Sequence, residues 1–257
     1  MEIAIISITA FATAILTFFS GFGLGTILTP VFMLFFPVEL AIALTGIVHF
    51  FNNVFKLILV GRNANKDVLM QFGIPAILAA FLGSLVLLNI TNSTPLFSYD
   101  AFGNHYEVYP IKFMVSILLI LFAGMDLIPY FKKLNFGKDK LILGGLLSGF
   151  FGGLSGNQGA LRSAFLLKVG LTKESLVGTA VVVSTFVDFT RLGVYATRFE
   201  KAGLFENLEL VVWATLSAIM GAYLGNKLLK KVTMELIQIL TAVFLLIIAL
   251  GLGLGIL

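Results

Sequence analysis

The sequence contains no cysteine. That excludes disulfides, thiolate metal sites and cysteine nucleophiles. Charge is scarce as well: Asp, Glu, Lys and Arg make up 12% of the 257 residues, against about 25% in an ordinary soluble domain. Proline occurs only six times, which suits close-packed helices with a few deliberate breaks. There is no P-loop, no metal-ligand spacing and no catalytic triad signature. The glycine runs lack the strand–turn–helix setting of a dinucleotide fingerprint. An enzyme, a cofactor and a nucleic-acid partner are therefore not expected.

What is present is apolar. Hydrophobic residues are 59% of the chain and the mean hydropathy is +1.05, which reads as an all-α integral membrane protein embedded in the lipid bilayer. Glycine (26 residues) suits closely packed helices. The 26 phenylalanines read as lipid-facing or core filler. The first apolar segment follows Glu2 directly, without a basic leader or a small-residue cleavage site. It is expected to be a retained helix rather than a signal peptide.

A spanning helix needs about 20 mostly apolar residues. Segments of about that length are expected at Ile3–Phe19, Leu40–Val60, Val68–Ile90, Ile111–Phe131, Glu174–Thr197, Leu208–Leu229 and Met234–Leu257. Shorter ones fall at Thr26–Phe36, Leu141–Leu154 and Ala160–Val169. Two of the short segments follow glycine-studded breaks. The first break runs S-G-F-G-L-G-T-I-L-T-P from Ser20 to Pro30, the second G-G-L-S-G-N-Q-G-A-L-R from Gly152 to Arg162. Irregular backbone at membrane depth is tolerated only where protein or a water-filled cavity satisfies it. Paired breaks in two halves point to a transporter's binding site.

Basic residues orient the segments. Arg62 and Lys66, the lysines at 132, 133, 138 and 140, Lys168 with Lys173, and Lys227 with the lysines at 230 and 231 fall in four loops. The positive-inside rule places those loops in the cytoplasm. The loops Pro37–Glu39 and Thr91–Pro110 carry no Lys or Arg, and in Arg198–Asn207 the two basic residues are offset by Glu200 and Glu206. These three face out, with both termini external. The sequons at Asn89 and Asn92 and the solvated His105 fall on that side. For this order to close, each broken pair enters and leaves on the same side. The expected architecture is two inverted-topology repeats of about five helical segments, with re-entrant half-helices. They occupy residues 1–131 and 141–257 and are joined by a cytoplasmic linker at 132–140.

The halves align internally. Glu39, Asn53 and Lys56 fall on Glu174, Asp188 and Arg191, with the same spacing of fourteen and then three. Gly25 matches Gly159, and Leu82-Gly83 matches Met220-Gly221.

The breaks also locate candidate chemistry. Arg162 stands one turn into the second half-helix, behind Asn157, Gln158 and Gly159. A charge at the bilayer centre costs about 2.5–3.5 kcal/mol on insertion scales and usually marks function. A half-helix N-terminus offers free N–H groups, glycine permits close approach, and the guanidinium fork suits oxyanions. The other reading of Arg162 is a side chain that satisfies the carbonyls of a broken helix or pairs with a carboxylate. In the first break, Gly23, Gly25, Thr26 and Thr29 offer backbone and hydroxyl groups, or simply tight packing. If the two half-helix starts meet, a small anion would sit between them, with its charge selectivity drawn from the second break. Asp188 and Arg191 lie i, i+3 on one helix face, either as a structural pair or as a coupling or gating pair. Asn53 is the counterpart of Asp188. Lys56, near a helix end, is expected to snorkel. His49 is a candidate proton carrier or an interhelical hydrogen-bonding group.

The residues Gly21 to Gly25 with Pro30, the run G-L-S-G-N-Q-G-A-L-R-S-A from Gly153 to Ala164, and the segment LTKESLVGTAVVVSTFVDFTRLGVY resemble the sulfite exporter TauE/SafE family over nearly the whole chain. The first element reads Gly23-Leu24-Gly25 where the family carries adjacent glycines. The resemblance implies a secondary transporter in the cell membrane for sulfite, an organosulfonate such as sulfoacetate, or a related oxyanion. Export and proton coupling are the expected mode. An anion channel, or an uptake permease for sulfate, thiosulfate or another organic anion, is the alternative. A homodimer is a further open expectation.

Overall fold

The computed structural model describes residues 1–18, 24–90, 94–101, 103–128, 136–167, 169–198, 204–228 and 234–257. Ten helical segments follow one another in these stretches. They are α1 (Glu2–Thr17), α2 (Leu24–Met33), α3 (Val38–Val60), α4 (Lys66–Ile90), α5 (Pro110–Leu127), α6 (Leu141–Ser155), α7 (Gly159–Leu166), α8 (Lys173–Tyr195), α9 (Leu208–Leu228) and α10 (Met234–Gly253). By length and composition α3, α4, α8 and α9 can each cross a bilayer. At about 1.5 Å per residue, α2 and α7 reach only half way.

Local chemistry sets several boundaries. Pro110 stands at the first helical position of α5, where its missing N–H costs nothing. Thr172 caps α8, its hydroxyl accepting the Ser175 N–H at 3.2 Å. Glu39 and Glu174 sit in the first turns of α3 and α8, where the helix dipole favours a carboxylate. In α4 a π turn spans Leu69–Gly73, just ahead of Pro75, whose ring nitrogen cannot donate to the preceding turn.

The region Thr91–Pro110, expected to be loop, contains a β-hairpin. Strands β1 (Phe97–Ala101) and β2 (Asn104–Val108) pair antiparallel, with Tyr99 opposite Tyr106. Gly103 takes the turn at φ +79°. The hairpin is pinned by the Tyr99 hydroxyl, which donates to the Leu254 carbonyl at 2.6 Å. His105, expected to be solvated, is exposed and pairs with Asp100 at 2.7 Å.

Helix packing is reciprocal between the first five helices and the last five. α1 packs on α9 as α6 packs on α4; α3 touches α9 as α8 touches α4; α2 touches α10 as α7 touches α5. The counterparts α3 and α8 pack on each other, and so do α5 and α10. Direction can be read from the neighbours. Gly46, Asn53 and Val60 of α3 meet Arg191, Asp188 and Gly178 of α8, so that pair is antiparallel. Phe72, Ala76 and Ala80 of α4 meet Gly145, Gly149 and Gly153 of α6, so that pair is parallel.

The α4–α6 seam depends on those three glycines. A Cβ on Gly149 would stand 2.0 Å from the Ala76 carbonyl oxygen, and one on Gly153 2.1 Å from that of Ala80. The backbones themselves are in contact, the arrangement that small residues permit when lipid supplies no hydrophobic drive. Gly193 has nothing within 4 Å of its Cβ position. Gly149→Ala is therefore expected to destabilise the purified protein by about 1–3 kcal/mol through overpacking, while Gly193→Ala is neutral or stabilising. Thermal unfolding in detergent compares the two directly.

Candidate functional site

The two glycine breaks meet. α6 ends at Gly156, whose φ of +78° places it in the left-handed region that favours glycine. The chain then turns through Asn157 and Gln158 into α7, and Gly159 is the first helical residue. The Gln158 carbonyl accepts the Arg162 N–H at 3.0 Å and the Ser148 hydroxyl at 3.2 Å, which fixes the start of α7. On the opposite side stands the first turn of α2. A Cβ on Gly25 would lie 3.1 Å from the Gly156 carbonyl oxygen, and one on Gly156 would lie 3.4 Å from the Thr29 hydroxyl. Gly23 lies outside the described residues.

Around this junction α3 and α8 carry a buried polar network. Asp188 is its hub. One carboxylate oxygen accepts from His49 Nδ1 at 2.6 Å and from the Asn53 amide at 2.9 Å. The other accepts from Arg191 Nε at 3.0 Å, with the Arg191 NH2 2.9 Å away as an ion-pair partner. A carboxylate only accepts, so Nδ1 of His49 carries the hydrogen and Nε2 is the nitrogen open to a further proton. Asn53 and Asp188 are the positions that align between the two halves, and here they touch.

Beside this network lies a small cleft lined by Thr17, His49, Asn53, Lys56, Arg162 and Ser184, among others. Arg162 enters it from α7 and donates to the Ser184 hydroxyl. Lys56 enters from α3 with its ammonium 5.2 Å from the Phe18 ring centroid. Lys56, expected to snorkel, is instead only 5% exposed. It continues the inward face of α3 through Thr45, His49, Asn52 and Asn53, so its stem has no lipid-facing route to the surface. The cavity volume is about 20 Å³, room for about one water. Among the described residues the buried charges are Lys56, Arg162, Arg191 and Asp188. They are three cations and one carboxylate, and two of the cations, Lys56 and Arg162, line the cleft.

Many polar atoms here have no hydrogen bond. The hydroxyls of Thr26, Thr29 and Thr45, and the amides of Asn52, Asn157 and Gln158, are buried without a partner. Each unmade bond costs about 1–3 kcal/mol of desolvation, and a well-packed core does not accumulate them. A larger cleft of about 470 Å³ lies elsewhere, lined by Phe36, Glu39, Tyr109, Lys112 and Leu257 among others. Its charged lining residues, Glu39 and Lys112, are only half-buried, whereas Lys56 and Arg162 of the smaller one are buried, so the chemistry points to the smaller one.

Comparison with known proteins adds one result. The family model for "Sulfite exporter TauE/SafE" matches residues 6–252. The chain belongs to the TauE/SafE family. No curated protein and no solved structure matches it.

The TauE/SafE chain is thus a multi-pass membrane protein of a transporter family. Of the residues singled out in its sequence, Arg162, His49 and Asn53 line the small cleft, and Asp188 and Arg191 adjoin it. Gly25 and Thr29 face the second break. Thr26, Asn157 and Gln158 are buried but do not line the cleft. Lys56 and Ser184 also line the cleft but are not among the candidates taken from the sequence. The signal for Lys56 was its alignment with Arg191. For Ser184 it was the alignment with His49, at the same offset as Asn53 and Asp188.

Proposed function

We propose that this TauE/SafE protein is a secondary transporter for a small, doubly charged sulfur oxyanion, sulfite foremost, binding it between Lys56 and Arg162. The observation that carries this is the convergence of two buried cations, Lys56 and Arg162, on one cleft beside the meeting point of two broken helices. Burying cations is expensive, and a dianion offers both of them a counter-charge. Arg162 offers a planar fork for two oxyanion oxygens and Lys56 a point charge for a third. The neighbouring Ser184 hydroxyl and Asn53 amide supply neutral contacts.

The reciprocal packing supports an inverted repeat whose axis passes between Asn53 and Asp188, because equivalent residues touch only near a symmetry axis. Alternating access then arises by rocking of the halves. A cleft with room for one water does not hold an oxyanion, so binding requires the helices lining it to part. Proton coupling runs through His49. A proton on Nε2 makes an imidazolium that shares Asp188 with Arg191 and faces Arg162 across the cleft, altering the charge that the anion meets. The positive loops support an orientation with the Lys56 end of the cleft toward the cytoplasm, the side from which an exporter loads.

The test is counterflow in proteoliposomes. Labelled sulfite is expected to exchange in a saturable manner and to accumulate against its gradient when a pH gradient is imposed. Flux that neither saturates nor shows counterflow would establish an anion channel instead. For orientation, Ser98→Cys is expected to react with an impermeant maleimide only from outside the cell and Gly137→Cys only from the cytoplasm. Reaction of both from one side would overturn the inverted arrangement.

A further inference from the structure

Lys56 and Arg191 are the paired cations of the two halves, and only Lys56 lines the cleft described above. Arg191 lies on the other side of the His49–Asp188 bridge, toward the opposite end of α3, since its guanidinium carbon would be 3.3 Å from a Cβ on Gly46. It is fully buried. Its Nε and NH2 face Asp188, while NH1 makes no hydrogen bond. NH1 would be 2.9 Å from a Cβ on Gly156, and the Thr29 hydroxyl 3.4 Å from the same point. Thr45 precedes Gly46 and Asn157 follows Gly156. The hydroxyls of Thr29 and Thr45 and both ends of the Asn157 amide are buried and unpaired. Donors thus gather around a cation whose only acid partner in the described residues is a side-chain carboxylate.

We propose that Arg191, with Thr29, Thr45 and Asn157, forms a second position for a small oxyanion, held in this state by the Asp188 carboxylate as a resident stand-in. The proposal rests on the transport reading above. When the halves exchange conformations, Arg191 takes the place that Lys56 holds here, and the anion passes from the Lys56–Arg162 side to the Arg191 side. Asp188 yields Arg191 to the anion and keeps His49 and Asn53. No bond is made or broken in this exchange, only ion pairs.

The experiment counts labelled sulfite bound per chain in purified full-length protein. Wild type is expected to hold one anion and Asp188→Asn two. Asp188→Asn with Arg162→Gln is expected to hold one, and adding Arg191→Gln to hold none. A count of one in Asp188→Asn, or a second anion that survives Arg191→Gln, would overturn the proposal. The two readings fail separately. Binding untouched by Arg162→Gln in the otherwise wild-type protein counts against the cleft, whereas an Arg191-dependent anion in the Asp188→Asn background still supports the second position.

Should Asp188→Asn not fold, counterflow decides. Arg191→Gln is expected to leave sulfite affinity within about threefold of wild type yet slow exchange at least about tenfold, with partial recovery in Arg191→Lys. A purely structural pair predicts instead that Asp188→Ala with Arg191→Leu, which leaves no unpaired charge from the pair, restores wild-type exchange, and that result would also overturn the proposal.

Discussion

Arg162→Gln is expected to weaken sulfite binding to the purified protein by at least about 30-fold, since removing one partner of a buried charge contact costs about 2–5 kcal/mol and each 1.4 kcal/mol is tenfold. The protein is expected to fold. Glutamine keeps an amide that can donate to Ser184, a partner of the guanidinium. Without ligand the variant is expected to be at least as thermally stable as wild type, because a buried guanidinium costs more to desolvate than an amide. That opposite movement of stability and affinity separates a binding role from a scaffolding role. Lys56→Gln is expected to act in the same direction but more weakly, about tenfold, because an ammonium makes point contacts rather than a fork. Isothermal titration with sulfite measures both, and unchanged affinity in Arg162→Gln would sink the site.

Much of this arrangement was legible in the chain. Hydropathy and glycine placed α6 at Leu141–Leu154, within one residue of Leu141–Ser155, and the second half-helix opens at Gly159 as expected. That succeeds because in a bilayer every backbone group must be satisfied within its helix, so apolar length and helix length nearly coincide. The polar triplets at equal spacing were readable too, but the partners of their side chains were not. Lys56 illustrates why. Whether a lysine four residues from a helix end snorkels or turns inward depends on which face the rest of the protein covers, and that cover comes from residues far away in the chain. The hairpin was missed for a different reason. Phe97–Ala101 and Asn104–Val108 are short, polar on alternate positions and outside the apolar segments, so a reading that searched for spans passed over a period of two. The turn signal Gly103-Asn104 was present.

The largest expected loss of stability is at Asp188. Asp188→Ala is expected to cost about 3–5 kcal/mol, the range found when one partner of a buried ion pair is removed and the other is left uncompensated. Here the consequence is wider than one pair. Arg191, which is fully buried, loses its only acid partner in the described residues, and His49 and Asn53 each lose the acceptor they hold at 2.6 and 2.9 Å. Among the described residues no buried carboxylate then remains beside the three buried cations. For a chain of this size the loss corresponds to a fall of about 10 °C in apparent melting temperature, read by size-exclusion after heating. Removing the whole pair should undo most of it: Asp188→Ala with Arg191→Leu takes away the carboxylate and its cation together and replaces the guanidinium with an apolar side chain, a change often neutral in buried pairs. Sulfite should also raise the melting temperature of Asp188→Ala more than that of wild type, because an added dianion neutralises charge that Asp188 no longer balances. If Asp188→Ala melts within about 2 °C of wild type, corresponding to less than about 1 kcal/mol, the carboxylate is not the hub that its three contacts describe.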